Sequence, residues 1–190
     1  EQPLLFPNND RPGIMLASAL RQYVNRYAVT AGRRVVVATN NDSACQTALD
    51  LHNAGVSVEC LIDSRKESDL GEGSRLLLDQ VRERGITLFQ NAILLDTSGR
   101  KGVKSIQVAR RDSREASGYQ PLATIQCDCV AMSGGWQPAV HLFSQARGKL
   151  RYSPEHCAFL PAQIPAHLRV VGAANGVFSL TGALREGHQA

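Results

Sequence analysis

The sequence predicts an α/β fold with a parallel βαβ core, and three observations carry that reading. Val35-Val36-Val37-Ala38 is an unbroken apolar run, where a strand with one face in water would alternate. Directly after it, Asn40-Asn41-Asp42-Ser43 supplies helix-capping side chains. A second strand-like segment then ends on an acid, Asp63. A strand buried on both faces belongs in a sheet covered on both sides, and two parallel strands need a crossover between them.

The elements follow in chain order. Beyond a linker containing Pro7 and Arg11-Pro12-Gly13, the residues Ile14, Ala17, Leu20, Val24 and Tyr27 recur at spacings of three and four, which predicts an amphipathic helix from Ile14 to Tyr27. Ala31-Gly32 breaks the chain before the first strand, Arg33 to Ala38, expected at the centre of the sheet. Ala44 to Ala54 reads as a helix with Gly55 at its C-cap, and Val56 to Ile62 as the second strand, closed by Asp63. A charged loop from Ser64 to Gly73 leads to a helix, Ser74 to Arg84, ended by Gly85, and to a short strand, Ile86 to Phe89. Ala92 to Asp96, Val103 to Ala109 and Tyr119 to Ile125 then have strand composition, separated by turn residues at Ser98-Gly99-Arg100-Lys101-Gly102 and from Ser113 to Gly118. They predict an antiparallel meander. Cys129 to Met132 returns as an apolar strand ended by Ser133-Gly134-Gly135, completing a nucleotide-binding domain over roughly residues 30–135. From Trp136 onward the composition is loop-like, with Pro138, Pro154, Pro161 and Pro165, until Leu168 to Gly172 offers one more strand and Gly176 to Ala190 a helix. One strand and one helix do not make a domain, so this tail is expected to complete a domain that the chain holds only in part. The start at Glu1 rather than Met, and the end within a helix, read as cut points.

Composition narrows the function classes. With 43% hydrophobic and 20% charged residues over 190 positions, a globular chain follows, long enough for one full domain and part of another. The net charge of +4 is mild, and its cluster, Arg110, Arg111 and Arg114, is interrupted by Asp112 and Glu115 without aromatic interleaving. That argues for a solvated loop and against a nucleic-acid surface. No apolar run approaches the ~20 residues that span a bilayer, and Glu1-Gln2-Pro3-Leu4 resembles no signal peptide, so a cytoplasmic location is expected. Cys45, Cys60, Cys127, Cys129 and Cys157 are odd in number, which suits a reducing compartment. Cys127 and Cys129 would share a face on a strand, but no second pair and no His at ligand spacing follows, so no metal site is expected. His52, His141, His156, His167 and His188 show no triad or metal spacing, and no catalytic residue is assigned.

A dinucleotide site on a βαβ unit needs a slim strand-to-helix turn, N–H groups at the helix start for the pyrophosphate, and an acid ending the second strand for the ribose. The turn here is Thr39-Asn40-Asn41-Asp42-Ser43-Ala44, and only its last position suits the glycine-rich pattern well. Asn41 could take the left-handed backbone that Gly favours, while Asp42 places negative charge near a phosphate. Asp63 lies roughly 20 residues beyond the turn, where a ribose-binding acid belongs, favouring NAD over NADP; Arg65 and Lys66 weaken that preference. Ser133, Gly134 and Gly135 sit where a nicotinamide half would pass, or form a plain turn. These residues describe a Rossmann-like domain whose site either functions or has decayed.

Four segments carry a family resemblance: residues 9–17 (Asn9-Asp10-Arg11-Pro12-Gly13-Ile14-Met15-Leu16-Ala17), Thr39-Asn40-Asn41-Asp42-Ser43, Ser133-Gly134-Gly135-Trp136-Gln137-Pro138 with His141-Leu142, and Gly172-Ala173-Ala174-Asn175-Gly176. In this order they resemble the alpha subunit of heterotetrameric sarcosine oxidase. The resemblance implies an alpha subunit holding NAD and FAD noncovalently, beta, gamma and delta partners, sarcosine oxidation at a covalent flavin on beta, and a separate tetrahydrofolate domain outside these residues. The implied products are glycine, formaldehyde or its folate adduct, and hydrogen peroxide. It also implies that Thr39 to Ser43 lie at the NAD site, that residues 1–29 are linker and helix from the FAD domain, and that residues 136–190 are a partial FAD-binding domain segment. The tail is similar to the second FAD motif of disulfide-reductase-like flavoproteins, with Gly172 matching and Ala173 standing where many relatives have Asp. Gly172, Ala173 and Asn175 are therefore expected to contact FAD through backbone, yet the chain alone is expected without FAD, since the main FAD fingerprint is absent. Two rival functions stay open: an NAD(P)H-dependent flavoprotein reductase domain, and a non-catalytic Rossmann-like scaffold.

Overall fold

The strand Arg34–Thr39 (β2) runs down the middle of a five-stranded parallel sheet, as its uniform apolar run requires. Its neighbours are Cys129–Ser133 (β8) on one side and Ser57–Asp63 (β3) on the other. Thr87–Gln90 (β4) and Ile14–Leu16 (β1) close the two edges, in the order β1-β8-β2-β3-β4. The computed structural model describes residues 1–112, 114, 118–153, 156 and 158–190. Pro154, Cys157 and most of the turn read from Ser113 to Gly118 lie outside the described residues. Two compact units result, Glu1–Gly135 and Trp136–Ala190.

Alternation along the central strand builds three layers in the first unit. Val35 and Val37 point to the face covered by the helices Ala17–Tyr27 (α1), Asp42–Asn53 (α2) and Glu72–Glu83 (α3), where they meet Leu20, Ala48, Leu61 and Val81. Val36 and Ala38 point the other way, onto Ile62, Val130, Ile106 and Val108. That second face is covered by the antiparallel meander Ile93–Ser98 (β5), Ser105–Arg111 (β6) and Tyr119–Gln126 (β7). Both faces of the parallel sheet are therefore dry, and the predicted βαβ core with its meander is what forms.

Several boundaries move. Ile14–Leu16 is a strand pairing parallel with Val130–Met132, and the helix begins only at Ala17. The three-and-four spacing held by accident at Ile14, because a three-residue strand has no period long enough to tell it from a helix turn. Cys127 and Cys129 do not share a face: Cys127 sits in the turn before β8 and packs under the meander, whereas Cys129 packs under the helices. In the second unit, the loop-like stretch holds a short helix His141–Gln145 (α4) and a hairpin, Lys149–Ser153 (β9) with Ala158–Gln163 (β10). Leu168 to Gly172 forms no strand; the chain there ends in a 3-10 turn, Gly172–Asn175, before Leu180–Gln189 (α5).

Candidate nucleotide-binding edge

The parallel register aligns Ser133, Thr39, Asp63 and Gln90 in one row across the carboxyl end of the sheet. The first three are fully or almost fully buried polar residues, so each needs an internal partner. This is also the edge where the chain reverses its order: β2 leads through α2 to β3 on one side, while β8 returns on the other. In open α/β sheets the crevice at such a point is where ligands bind.

The turn after β2 is closed by its own side chains. The Thr39 hydroxyl donates to the Asn41 carbonyl (2.9 Å) and accepts from the Asn41 N–H (3.0 Å). The Asn41 amide nitrogen donates to the Ser133 hydroxyl (2.9 Å) and carbonyl (3.2 Å) and to Asn40 Oδ1 (3.0 Å), stitching β2 to β8. Its oxygen accepts from the Ser43 N–H (3.1 Å) and hydroxyl (2.7 Å), capping α2. Asn41 is extended (φ −152°), so the left-handed backbone expected of it is not used. Asparagine replaces glycine here because an extended N-cap needs an acceptor and tolerates a side chain.

Asp63 ends β3 as expected, with no exposed surface, and its whole carboxylate is held by Arg65. The Arg65 N–H and Nε donate to Oδ1 (3.0 and 3.1 Å), and Nε and Nη2 to Oδ2 (3.2 and 2.7 Å). Arg65 Nη1 reaches Asp42 Oδ1 (2.7 Å), and the other Asp42 oxygen accepts from the Ser74 hydroxyl (2.8 Å). Burial works to lower the Arg65 pKa, but the bonds to Asp63 and Asp42 outweigh it and raise the pKa. Asp42 thus shares the Arg65 cation with Asp63. Sequence reasoning saw Arg65 only as a neighbour of the acid; an Arg two residues past a strand-terminal Asp was the available signal.

Ser133, Gly134 and Gly135 meet the N-terminal segment. The Gln2 N–H donates to the Gly135 carbonyl (2.8 Å) and the Gly134 N–H to the Gln2 carbonyl (2.7 Å). A Cβ on Gly134 would lie 2.7 Å from the Pro3 carbonyl oxygen, so this backbone approach requires glycine. Nearby, Phe6, Ala38, Thr39, Ile62 and Ser64 line a hollow of about 180 Å³, smaller than a dinucleotide needs. Acid, helix start and crevice fall in one row, while the polar groups already have partners in the chain.

The remaining predicted residues, Gly172, Ala173 and Asn175, lie in the second unit on the 3-10 turn. Glu186 of α5 holds that turn: its carboxylate accepts from the Gly172 N–H (2.6 Å) and the Asn175 amide (3.1 Å). Glu186 was not legible as a site residue, since its partners lie a whole helix earlier in the chain. Burial pushes the Cys45, Cys60, Cys127 and Cys129 thiols up to about 12, which removes them as nucleophiles. Among the described residues no cluster of His, Cys, Asp and Glu could hold a metal ion, and no helix is long and apolar enough to cross a membrane.

No family model matches the chain. It is 34% identical over 189 residues to sarcosine oxidase subunit alpha of Corynebacterium sp. (strain U-96) and 36% identical over 187 residues to that of Rhizobium meliloti (strain 1021), each match covering 98% of this chain. The chain spans under a fifth of those relatives' length, 19% and 17%. Among solved structures, thioredoxin reductase of T. acidophilum superposes with a TM-score of 0.64 at 17% identity, covering 90% of this chain and 52% of that one. Thioredoxin reductase of Lactococcus lactis gives 0.65 at 15% identity, covering 100% and 60%. These likenesses show the Rossmann-like α/β fold. The similarity to sarcosine oxidase alpha subunits read from the four motifs runs through the whole chain.

Proposed function

We propose that this chain is the NAD-holding part of the alpha subunit of a sarcosine (secondary amine) oxidase complex, an oxidoreductase that demethylates sarcosine to glycine with formaldehyde and hydrogen peroxide. One observation carries the reading: the similarity to sarcosine oxidase alpha subunits covers 98% of this chain, the sheet edge included. In this reading the start of α2, from Thr39 to Ser43, faces the pyrophosphate, Asp63 the adenine ribose, and Ser133 to Gly135 the nicotinamide side. Residues 1–29 and 136–190 are pieces of an FAD domain, in which Gly172, Ala173 and Asn175 approach FAD through backbone. A bound nicotinamide would supply a hydride site; the residues of this chain hold and orient it. Beta, gamma and delta subunits, a tetrahydrofolate domain elsewhere and a cytoplasmic location belong to the same proposal.

A scaffold reading is favoured by one specific observation, the internal pairing of Asn41, Asp63 and the Gly134 backbone, which leaves the edge satisfied without ligand. Titration of the chain with NAD and NADP, followed by ligand-observed NMR, decides between them. Saturable binding with NAD ahead of NADP supports the nucleotide site. Absence of saturable binding supports the scaffold.

A further inference from the structure

Asp63 is the residue on which the nucleotide reading turns, and the structure shows both of its carboxylate oxygens engaged by the Arg65 guanidinium. A carboxylate accepts about four hydrogen bonds. Arg65 supplies bonds to both oxygens through its backbone N–H, Nε and Nη2, at 2.7 to 3.2 Å. The two hydroxyls of a ribose would need those same oxygens. Arg65 lies on the solvent side of the pair, its side chain 20% exposed against 0% for Asp63. Its backbone bond to Asp63 belongs to the loop and is separate from the bonds of the guanidinium.

We propose that Arg65 is a latch on the adenosine end of the candidate site: its guanidinium and the ribose diol compete for the Asp63 carboxylate, and an adenine nucleoside binds only with the side chain released. This rests on the nucleotide-site reading above and names what regulates that site. The third arm of the guanidinium, on Asp42, holds the latch shut at a second point. Affinity in the wild type is lowered by the fraction of molecules that are closed.

Adenosine is the suitable probe, because it carries the diol and no phosphate, so removing a cation does not weaken it by simple charge. Arg65→Ala is expected to bind adenosine about ten-fold or more tightly than the wild type, the worth of one charge-assisted bond set free, with a smaller gain for 2′-deoxyadenosine. Arg65→Lys keeps a charge but cannot span both carboxylates, so an intermediate gain is expected there, and it serves if the alanine variant does not fold. Unchanged or weaker adenosine binding in the folded variants overturns the latch while the nucleotide site stands. Equal gains for adenosine and 2′-deoxyadenosine overturn it too, because the diol would then not be what Arg65 opposes. If neither adenosine nor NAD binds wild type or variants saturably, the nucleotide reading falls and the latch falls with it.

Discussion

Asn41 works with both ends of its amide, capping α2 through Ser43 and tying β2 to β8 through Ser133. Loss of a cap together with a partly buried bond costs about 1–2 kcal/mol. Asn41→Ala should therefore lower the unfolding free energy read from urea denaturation by that much, and Asn41→Gly, which a slimmer turn would have recommended, should destabilise as well. Unchanged midpoints would show that the side chain is not structural. Asp63 makes the complementary prediction: Asp63→Asn keeps the shape, removes the charge and should weaken NAD about ten-fold. Equal NAD affinity, measured by NMR on protein shown by circular dichroism to be folded, would reject Asp63 as the ribose residue. The position of Asp63 was legible because strand length and crossover length fix where a strand-terminal acid falls. Its partner was not read, since Arg65 and Lys66 follow at two and three residues and only the direction of the loop after β3 selects Arg65.

At the scale of elements, α1 and α2 pack through their apolar faces and share the Asp50 carboxylate. Asp50 accepts from Arg21 Nε (2.6 Å), Asn25 Nδ2 (2.7 Å) and Gln46 Nε2 (2.9 Å). Burial works to raise its pKa, but the bonds from Gln46, Asn25 and Arg21 together lower it below the ordinary value. A carboxylate with a depressed folded pKa contributes stability that is present above its unfolded value of about 3.9 and lost as pH falls through the folded value. Asp50→Asn should thus be less stable than the wild type at pH 6, by about 1 kcal/mol given that Arg21 is partly exposed, and the gap should narrow as pH falls through the lowered folded value of Asp50. A gap that stays constant between pH 6 and pH 3 would show that Asp50 does not act through its charge. Long-range partners also explain the elements that were misread. Ile14–Leu16 is a strand because β8 offers an edge, information held more than a hundred residues away. Pro161 argued against a strand, and β10 accommodates it where the register shifts, between Pro161 and Gln163. Leu168 to Gly172 has the composition of a strand and, among the described residues, no strand to pair with.

For the molecule as a whole, the layering was legible because Val35 to Ala38 is apolar on both faces, which forces cover on both sides; that the helices take one face and the meander the other depends on long-range packing and was not. The purified chain is expected to be colourless, since Glu186 already takes the Gly172 N–H that would meet a flavin. Stoichiometric flavin absorbance would reject that. The location of the core leads to a sharper test. Both large apolar clusters draw their residues entirely from the first unit, Leu20, Val35, Leu61 and Val81 on one face, Val36, Ile62, Ile106 and Val130 on the other. The second unit keeps Phe143, Ala158 and Leu160 inside but leaves Phe159, Leu180 and Leu184 more than half exposed. At its size, such a small interior contributes little against the entropy of ordering the chain. A protein ending at Gly135 should therefore fold with one cooperative thermal transition and native far-UV circular dichroism, whereas residues 136–190 alone should show neither. An unfolded 1–135 protein would overturn this. A cooperatively folded 136–190 peptide would mean that its exposed leucines find each other without the rest of the chain.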